Sequence, residues 1–331
     1  MLRVAVLGAG RIGKIHAANV ATNKRAELVA VADPFGSAAE DLAREISCAA
    51  SRDPVALIER DDVDAVVIGT PTDTHVDLML RSVRAGKAVL CEKPIDLDIK
   101  RVDEALAELE HVGGRVMVAF NRRFDPSAQR LRRSIDDGEI GEVRQVIITS
   151  RDPGLAPREY LQTSGGIFRD MTIHDFDMAR WLLGEEPVEV TATASRLVDP
   201  GLMADVDDFD TVMVQMRTAS GRQCHINGCR EAVYGYDQRF EIFGSLGMLQ
   251  NDNLRPTTVR RWGRTETEVQ EPLLNFFLER YAEAYRIELD LFLQALETGG
   301  PMPATPHDGR QALRLADCAL ESALTGRAVA V

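Results

Sequence analysis

Short apolar runs recur through the first third of the chain: Arg3–Leu7, Leu28–Ala32, Ala65–Ile68, Ala88–Leu90 and Val116–Ala119. Runs that are apolar on consecutive positions suit strands buried on both faces, as in a parallel sheet. Between them, Ile12–Asn23, Ser37–Glu45, His75–Ala85 and Ile99–His111 carry apolar residues at spacings of three and four, the stripe of a helix lying on a core. Gly86 stops the third of these helices, and Gly113-Gly114 the fourth. Strand and helix in alternation predict an α/β fold with an open, doubly wound parallel sheet.

After Phe120 the pattern changes. A helix is predicted over Pro126–Asp137, a strand over Val143–Ser150 and a helix over Ile173–Leu183. Longer strand candidates follow with no helices between them: Val188–Leu197, Thr211–Thr218, Gln223–Cys229, Arg239–Phe243 and Thr257–Arg261. That succession predicts a large, open, mainly antiparallel sheet. Phe276–Thr298 and His307–Leu324 read as two closing helices. The expected domains are residues 1–121 and 122–331, with a late helix free to pack back on the first. In Thr211–Met216, Val212 and Val214 point to one face and Met213 to the other. One face suits helices of the same chain; the other suits a partner sheet in a homo-oligomer.

Composition narrows the function. A chain of 331 residues with 45% hydrophobic content can bury two cores. The formal net charge of -13 argues against nucleic acid and anionic membranes, which need a basic face. A local basic cluster (Arg122, Arg123, Arg130, Arg132, Arg133) would suit an anionic cofactor. Five cysteines, an odd number in a long chain, do not suggest a disulfide framework. Cys224, His225 and Cys229 lack a second ligand pair at zinc-finger distance and read as part of a strand, so no structural metal is expected. No apolar stretch reaches the roughly 20 residues of a membrane span, and no leader precedes the first strand, so the cytoplasm is the expected location.

Gly8-Ala9-Gly10-Arg11-Ile12-Gly13 follows a strand and opens a helix, the context in which G-x-G-x-x-G binds a dinucleotide. Gly8 permits the turn, Gly10 lets the backbone approach a pyrophosphate, and Gly13 lets helix pack on strand. The anion then sits at the positive end of the helix, beside the Arg11 and Ile12 backbone. Asp33, twenty residues on, can accept hydrogen bonds from the adenosine ribose and would repel a 2′-phosphate, which favours NAD over NADP. Its alternative role is to start a turn with Pro34. Thr70, Pro71, Thr74 and His75 are further candidates for the cofactor side, or for a turn and cap.

Glu92-Lys93-Pro94 falls at the end of the Ala88–Leu90 run, on the edge that would face the cofactor. Pro94 favours an extended Lys93, whose ammonium could stabilise a developing alkoxide. Downstream, Asp170, His174 and Asp177 are spaced by four and three, which places them on one face if the stretch is helical. The preceding Ser164-Gly165-Gly166 reads as a flexible lead-in. A histidine, with an ordinary pKa of about 6.5, can accept a proton at neutral pH, and a neighbouring carboxylate can orient it. Alcohol oxidation needs such an acceptor. Metal ligation by Asp170 and His174, or a capped helix start, are the alternatives.

Together the G-x-G-x-x-G start, Glu92-Lys93-Pro94 and the Asp170/His174 pair resemble the Gfo/Idh/MocA oxidoreductases over the whole chain. Gly165–Asp177 and Tyr234–Arg239 are similar to inositol 2-dehydrogenases within that family. The resemblance implies an NAD-binding Rossmann domain, a second α/β domain and a tetramer. It implies oxidation of a cyclitol hydroxyl, myo-inositol to its 2-ketone, with Lys93, Asp170 and His174 as the catalytic trio and His174 as proton acceptor. Asn121, Arg122, Asp152, Asp177 and Tyr236 would line the substrate, and Glu92 and Lys93 would also meet the cofactor. Asn121 stands where a bulkier apolar residue is expected in myo-inositol enzymes, which leaves the isomer open. Tyr281 and Tyr285 are both candidates for a further pocket residue. A related dehydrogenase of a polyol, aldose or anhydro-sugar is the alternative substrate class. A non-catalytic NAD-binding regulator would have no use for Lys93 and His174 together.

Overall fold

The computed structural model describes residues 1–331, which divide into two compact units, 1–124 with 284–313 and 125–283 with 314–331. The span 122–331 expected as one domain is thus interrupted: the segment 284–313 belongs with the first unit.

The first unit holds six parallel strands, β1 (Leu2–Leu7), β2 (Ala26–Ala32), β3 (Ala49–Ser51), β4 (Ala65–Ile68), β5 (Ala88–Glu92) and β6 (Val116–Ala119), in the order 3-2-1-4-5-6. That is the doubly wound order with its switch point between β1 and β4. Its helices are α1 (Arg11–Thr22), α2 (Ala38–Ile46), α3 (Pro54–Ile58), α4 (His75–Arg84) and α5 (Ile99–Val112). The sequence reading missed β3 and α3. β3 is only three residues, two of them exposed, so it carries no apolar run. α3 is a single turn, started by Asp53, whose carboxylate accepts from Val55 and Ala56 N–H, with Pro54 at its first position.

The second unit is built on a seven-stranded sheet. Its strands are β7 (Val143–Arg151), β8 (Pro187–Ser195), β9 (Thr211–Thr218), β10 (Gln223–Cys229), β11 (Asp237–Gly244), β12 (Met248–Gln250) and, near the C-terminus, Val329–Ala330. All pairs are antiparallel except β7 with β10. Where a longer strand was predicted at Thr257–Arg261, only Arg260–Arg261 pairs, with Val269–Gln270. The helices here are α6 (Pro126–Asp136), α7 (Arg158–Leu161), α8 (Ile167–Asp170), α9 (Ile173–Leu183), α10 (Pro200–Asp205) and α11 (Phe277–Arg280). α9 packs on β7 and β10. One sheet face is core: Val146, Ile148, Val214, Ile226 and Ile242 are buried. The other leaves Ile147, Met213, Phe243 and Met248 exposed, so Val212 and Val214 do face inward and Met213 outward.

The helix predicted over Phe276–Thr298 is broken at Tyr281 into α11 and α12 (Ala282–Thr298). Leu289, Phe292 and Leu293 of α12 join the core made by Val4, Val6, Val31 and Leu90. Ala304 accepts a hydrogen bond from Val118 N–H, so the outer edge of β6 is paired. The last helix, α13, spans Pro306–Thr325. Three arginines of the basic cluster are paired within the chain: Arg123 with Asp308 at 3.0 Å, Arg130 with Glu139 at 3.0 Å and Arg132 with Asp136. No helix is long and apolar enough to cross a membrane.

Candidate active site

In the first unit, parallel strands bring their C-terminal ends to one edge, so Gly8, Thr70, Lys93 and Asn121 emerge together after β1, β4, β5 and β6. The three motif glycines divide by function. Gly8 has φ of +100°, and a Cβ there would meet the Gly69 carbonyl at 2.5 Å. A Cβ on Gly13 would stand 1.9 Å from the Gly8 carbonyl oxygen, so α1 packs on the turn only because that residue is glycine. At Gly10 a Cβ would meet nothing within 4 Å. The space beside Gly10 is open at a helix N-terminus, which fits a pyrophosphate held by backbone N–H groups. Asp33 accepts from Ala9 N–H at 2.8 Å and from Phe35 N–H at 2.9 Å, so it does shape its turn while also fastening the glycine loop. Each carboxylate oxygen keeps a second lone pair for a ribose hydroxyl.

The other residues of this edge are tied to one another. His75 is buried and sets its two ring nitrogens 2.8 Å from the carbonyls of Thr70 and Pro94, so its ring straps two strand-end turns together. Thr70 and Thr74 share a hydroxyl contact of 2.6 Å. Glu92 bonds His16 at 2.8 Å, and the ring of Tyr285 meets His16 edge-on at 5.7 Å. Lys93 is half-buried, with a cis bond to Pro94. Asn121 and Arg122 lie buried in a 3₁₀ turn, Asn121–Phe124.

The second unit gathers its own group by strand register. β7 and β10 run parallel with Arg151 opposite Cys229, so the next residues, Asp152 and Arg230, leave the sheet side by side. β9 starts at the same edge, Thr211 opposite Cys229, and the residues before it include Asp208. Asp170 closes α8 and His174 is the second residue of α9, with Met171 and Thr172 in a turn between the two helices. The stretch is therefore not one continuous helix: Thr172 N–H reaches back to the Ile167 carbonyl and Asp175 N–H to Thr172. Both oxygens of Asp170 are held, Oδ1 by the Tyr160 hydroxyl at 2.6 Å and Oδ2 by Arg230 at 3.1 Å. Burial, then the Asp170 charge, pushes the Tyr160 phenol well above its ordinary range. Gly165 and Gly166 both have φ of +84°, and a Cβ on Gly166 would stand 2.9 Å from Asp208 Oδ1. Gly166 is thus a close fit, in place of the flexible lead-in expected.

Asp177 is enclosed, with Arg180 at 3.8 Å. Tyr236 is buried against Tyr281, ring centroids 6.0 Å apart and perpendicular, with Phe276 at 6.4 Å. Its neighbours Tyr234 and Arg239 both bind the buried carboxylate of Asp237, at 2.7 Å each, and so fix the strand start that carries it. The two late tyrosines separate: Tyr281 joins Tyr236, and Tyr285 sits on His16 in the cofactor-side unit. Sequence reasoning missed Tyr160, Asp208 and Arg230. Cys224 is buried in the core face of β10 while His225 and Cys229 alternate to the other, so the three do not converge.

Residues 2–120 match the model of an oxidoreductase family with an NAD-binding Rossmann fold, and residues 128–250 match the Gfo/Idh/MocA C-terminal domain. An inositol 2-dehydrogenase of Rhizobium meliloti (strain 1021) is 51% identical over 100% of this chain and 99% of its own. A myo-inositol 2-dehydrogenase of Thermotoga maritima is 41% identical over 99% of this chain and 98% of its own. The crystal structure of a myo-inositol dehydrogenase from Corynebacterium glutamicum is similar with a TM-score of 0.96 at 48% identity, covering 100% of this chain and 99% of that one. A scyllo-inositol dehydrogenase from Lactobacillus casei, solved with NAD(H) and scyllo-inositol, gives a TM-score of 0.92 at 28% identity, covering 100% and 99%.

Proposed function

The chain belongs to the Gfo/Idh/MocA oxidoreductases, NAD-dependent enzymes with a Rossmann domain, and from that premise we propose that it oxidises a secondary ring hydroxyl of a cyclitol, myo-inositol at carbon 2 in the first instance. Gly8, Gly10, Arg11, Ile12 and Gly13 hold the pyrophosphate, and Asp33 takes the adenosine ribose. Thr70, Pro71, Thr74, Glu92 and Lys93 line the rest of the cofactor's path, with His75 acting through the turns it straps. Bound NAD+ supplies the hydride acceptor. Lys93 donates a hydrogen bond to the reacting oxygen, His174 takes its proton, and Asp170 orients His174. The carbon loses a hydride and the oxygen a proton, which leaves a ketone. Asn121, Arg122, Asp152, Asp177 and Tyr236 bind the remaining hydroxyls, with Tyr281 beside Tyr236.

The observation that carries this reading is the doubly held carboxylate of Asp170 at a strand edge shared with Asp152 and Arg230. A carboxylate held on both oxygens keeps its remaining lone pairs in fixed directions, as a group that orients a histidine requires. The test is NADH formation with NAD+ and a panel of myo-, scyllo- and chiro-inositol, glucose and xylose. Turnover with an inositol is expected, and His174→Ala should lower kcat by roughly 10²–10⁴-fold. Turnover with sugars alone would move the substrate class to an aldose or anhydro-sugar. An undiminished kcat in His174→Ala would remove the assigned base. A homotetramer is part of the same proposal, supported by the uncovered sheet face, as is a cytoplasmic location, which suits a dehydrogenase drawing on the NAD pool.

A further inference from the structure

The carboxylate that steers the chemistry is held by residues outside the catalytic trio. Ile167 N–H donates to Asp208 Oδ1 at 2.9 Å. Arg230 Nη2 donates to Asp208 Oδ2 at 3.2 Å, and Arg230 Nη1 to Asp170 Oδ2 at 3.1 Å. Ile167 is the first residue of α8 and Asp170 the last, so the chain of bonds closes on the helix where it began. Register sets Asp152 level with Arg230 at the sheet edge, and the charge of Asp152 acts on Arg230 together with those of Asp170 and Asp208. One buried cation, about 2% exposed, thus faces three carboxylates.

We propose that Arg230 is a positioning residue of the oxidation: anchored by Asp208, it keeps Asp170 anionic and in one orientation, so that Asp170 steers His174 and does not compete for the substrate proton. The inference rests on the reading of His174 as proton acceptor. An arginine side chain is always charged, and its planar fork reaches two carboxylates at once. Without it, Asp170, Asp208 and Asp152 would crowd like charges in a buried place, and one of them would hold a proton near neutrality. A protonated Asp170 can no longer stabilise the imidazolium that forms on His174. Lysine would retain the charge while losing the fork.

The test is kcat against pH, with myo-inositol and NAD+ at saturation, for the unaltered enzyme and for Arg230→Gln, Arg230→Lys and His174→Ala. In Arg230→Gln the acid limb of the profile is expected to move up by about one unit or more, the effect of losing an opposite charge within 4–6 Å, and to steepen because a second group must lose its proton. Arg230→Lys is expected to keep the limb near its original place with a reduced plateau. His174→Ala losing activity while Arg230→Gln retains the original limb would overturn the proposal and leave the base assignment standing. An equal displacement in Arg230→Lys would assign the effect to packing and overturn it also. An active His174→Ala would strike the underlying reading instead. Should thermal melting show Arg230→Gln to be unfolded, Asp208→Asn carries the test. It keeps the acceptor for Ile167 N–H but removes the charge that anchors Arg230, so a reduced plateau with the limb near its original place is expected; a plateau equal to that of the unaltered enzyme overturns the proposal.

Discussion

Glu288 on α12 has no exposed surface and no hydrogen-bond partner for either carboxyl oxygen. Burial, and then the nearby Glu92 carboxylate, push its pKa well above the ordinary glutamate value, so the folded protein keeps a proton there that the unfolded chain releases. The sign follows. From about pH 4.5 upward to the raised folded value, stability falls as pH rises, by about 1.4 kcal/mol per pH unit for one such group. Glutamine keeps the shape and cannot titrate. Glu288→Gln should therefore unfold at a higher temperature than the parent near pH 8, with the gap closing as pH falls toward 4.5. Parallel melting curves across that range would mean that Glu288 is not held protonated. Single residues of this kind are opaque in a sequence. Glu288 sits in an ordinary amphipathic helix, and only the fold brings it near Glu92. Asp170 and His174 stand out in the sequence by a spacing of four, although the structure breaks the helix between them.

Among the elements, the turn from β1 into α1 shows how much local spacing can tell. Gly8, Gly10 and Gly13 look alike in the motif, yet the structure gives them different work, and substitution should separate them. Gly13→Ala forces a Cβ against the Gly8 carbonyl, so it should lose stability by about 1–3 kcal/mol and NAD affinity with it. Gly10 has extended backbone that alanine adopts without strain, and open space beside it. Gly10→Ala should melt within about 0.5 kcal/mol of the parent while NADH binding, followed by fluorescence titration, weakens by about tenfold or more. Equal NADH affinity would show that no ligand approaches Gly10. The group around Arg230 was not readable in this way. It depends on β7 lying parallel to β10, two strands separated by 71 residues of chain (151 to 223), and no local periodicity records that pairing. The break at Tyr281 was equally silent, because the apolar spacing runs through it unchanged.

For the whole molecule, the fold class was legible because both periodicities are strong, while the division into units was legible in part: a boundary at 121 and a late helix packing back were expected, the extent of the returning segment was not. The uncovered face with Ile147, Met213, Phe243 and Met248 argues for association, since monomers seldom expose a contiguous apolar patch. Light scattering on the purified protein should give four times 36.5 kDa, about 146 kDa. A mass near that of one chain would remove the tetramer. The segment 284–313 also has a bearing on how the protein is made. A ribosome finishes residues 1–124 and then adds the 159 residues from 125 to 283 before Leu289, Phe292 and Leu293 exist. At about 5–20 residues per second, that interval is roughly 8–32 s. Throughout it, the nascent dinucleotide-binding sheet lacks part of its core and the partner for the β6 edge, and it can be completed only after most of the second unit has already left the ribosome.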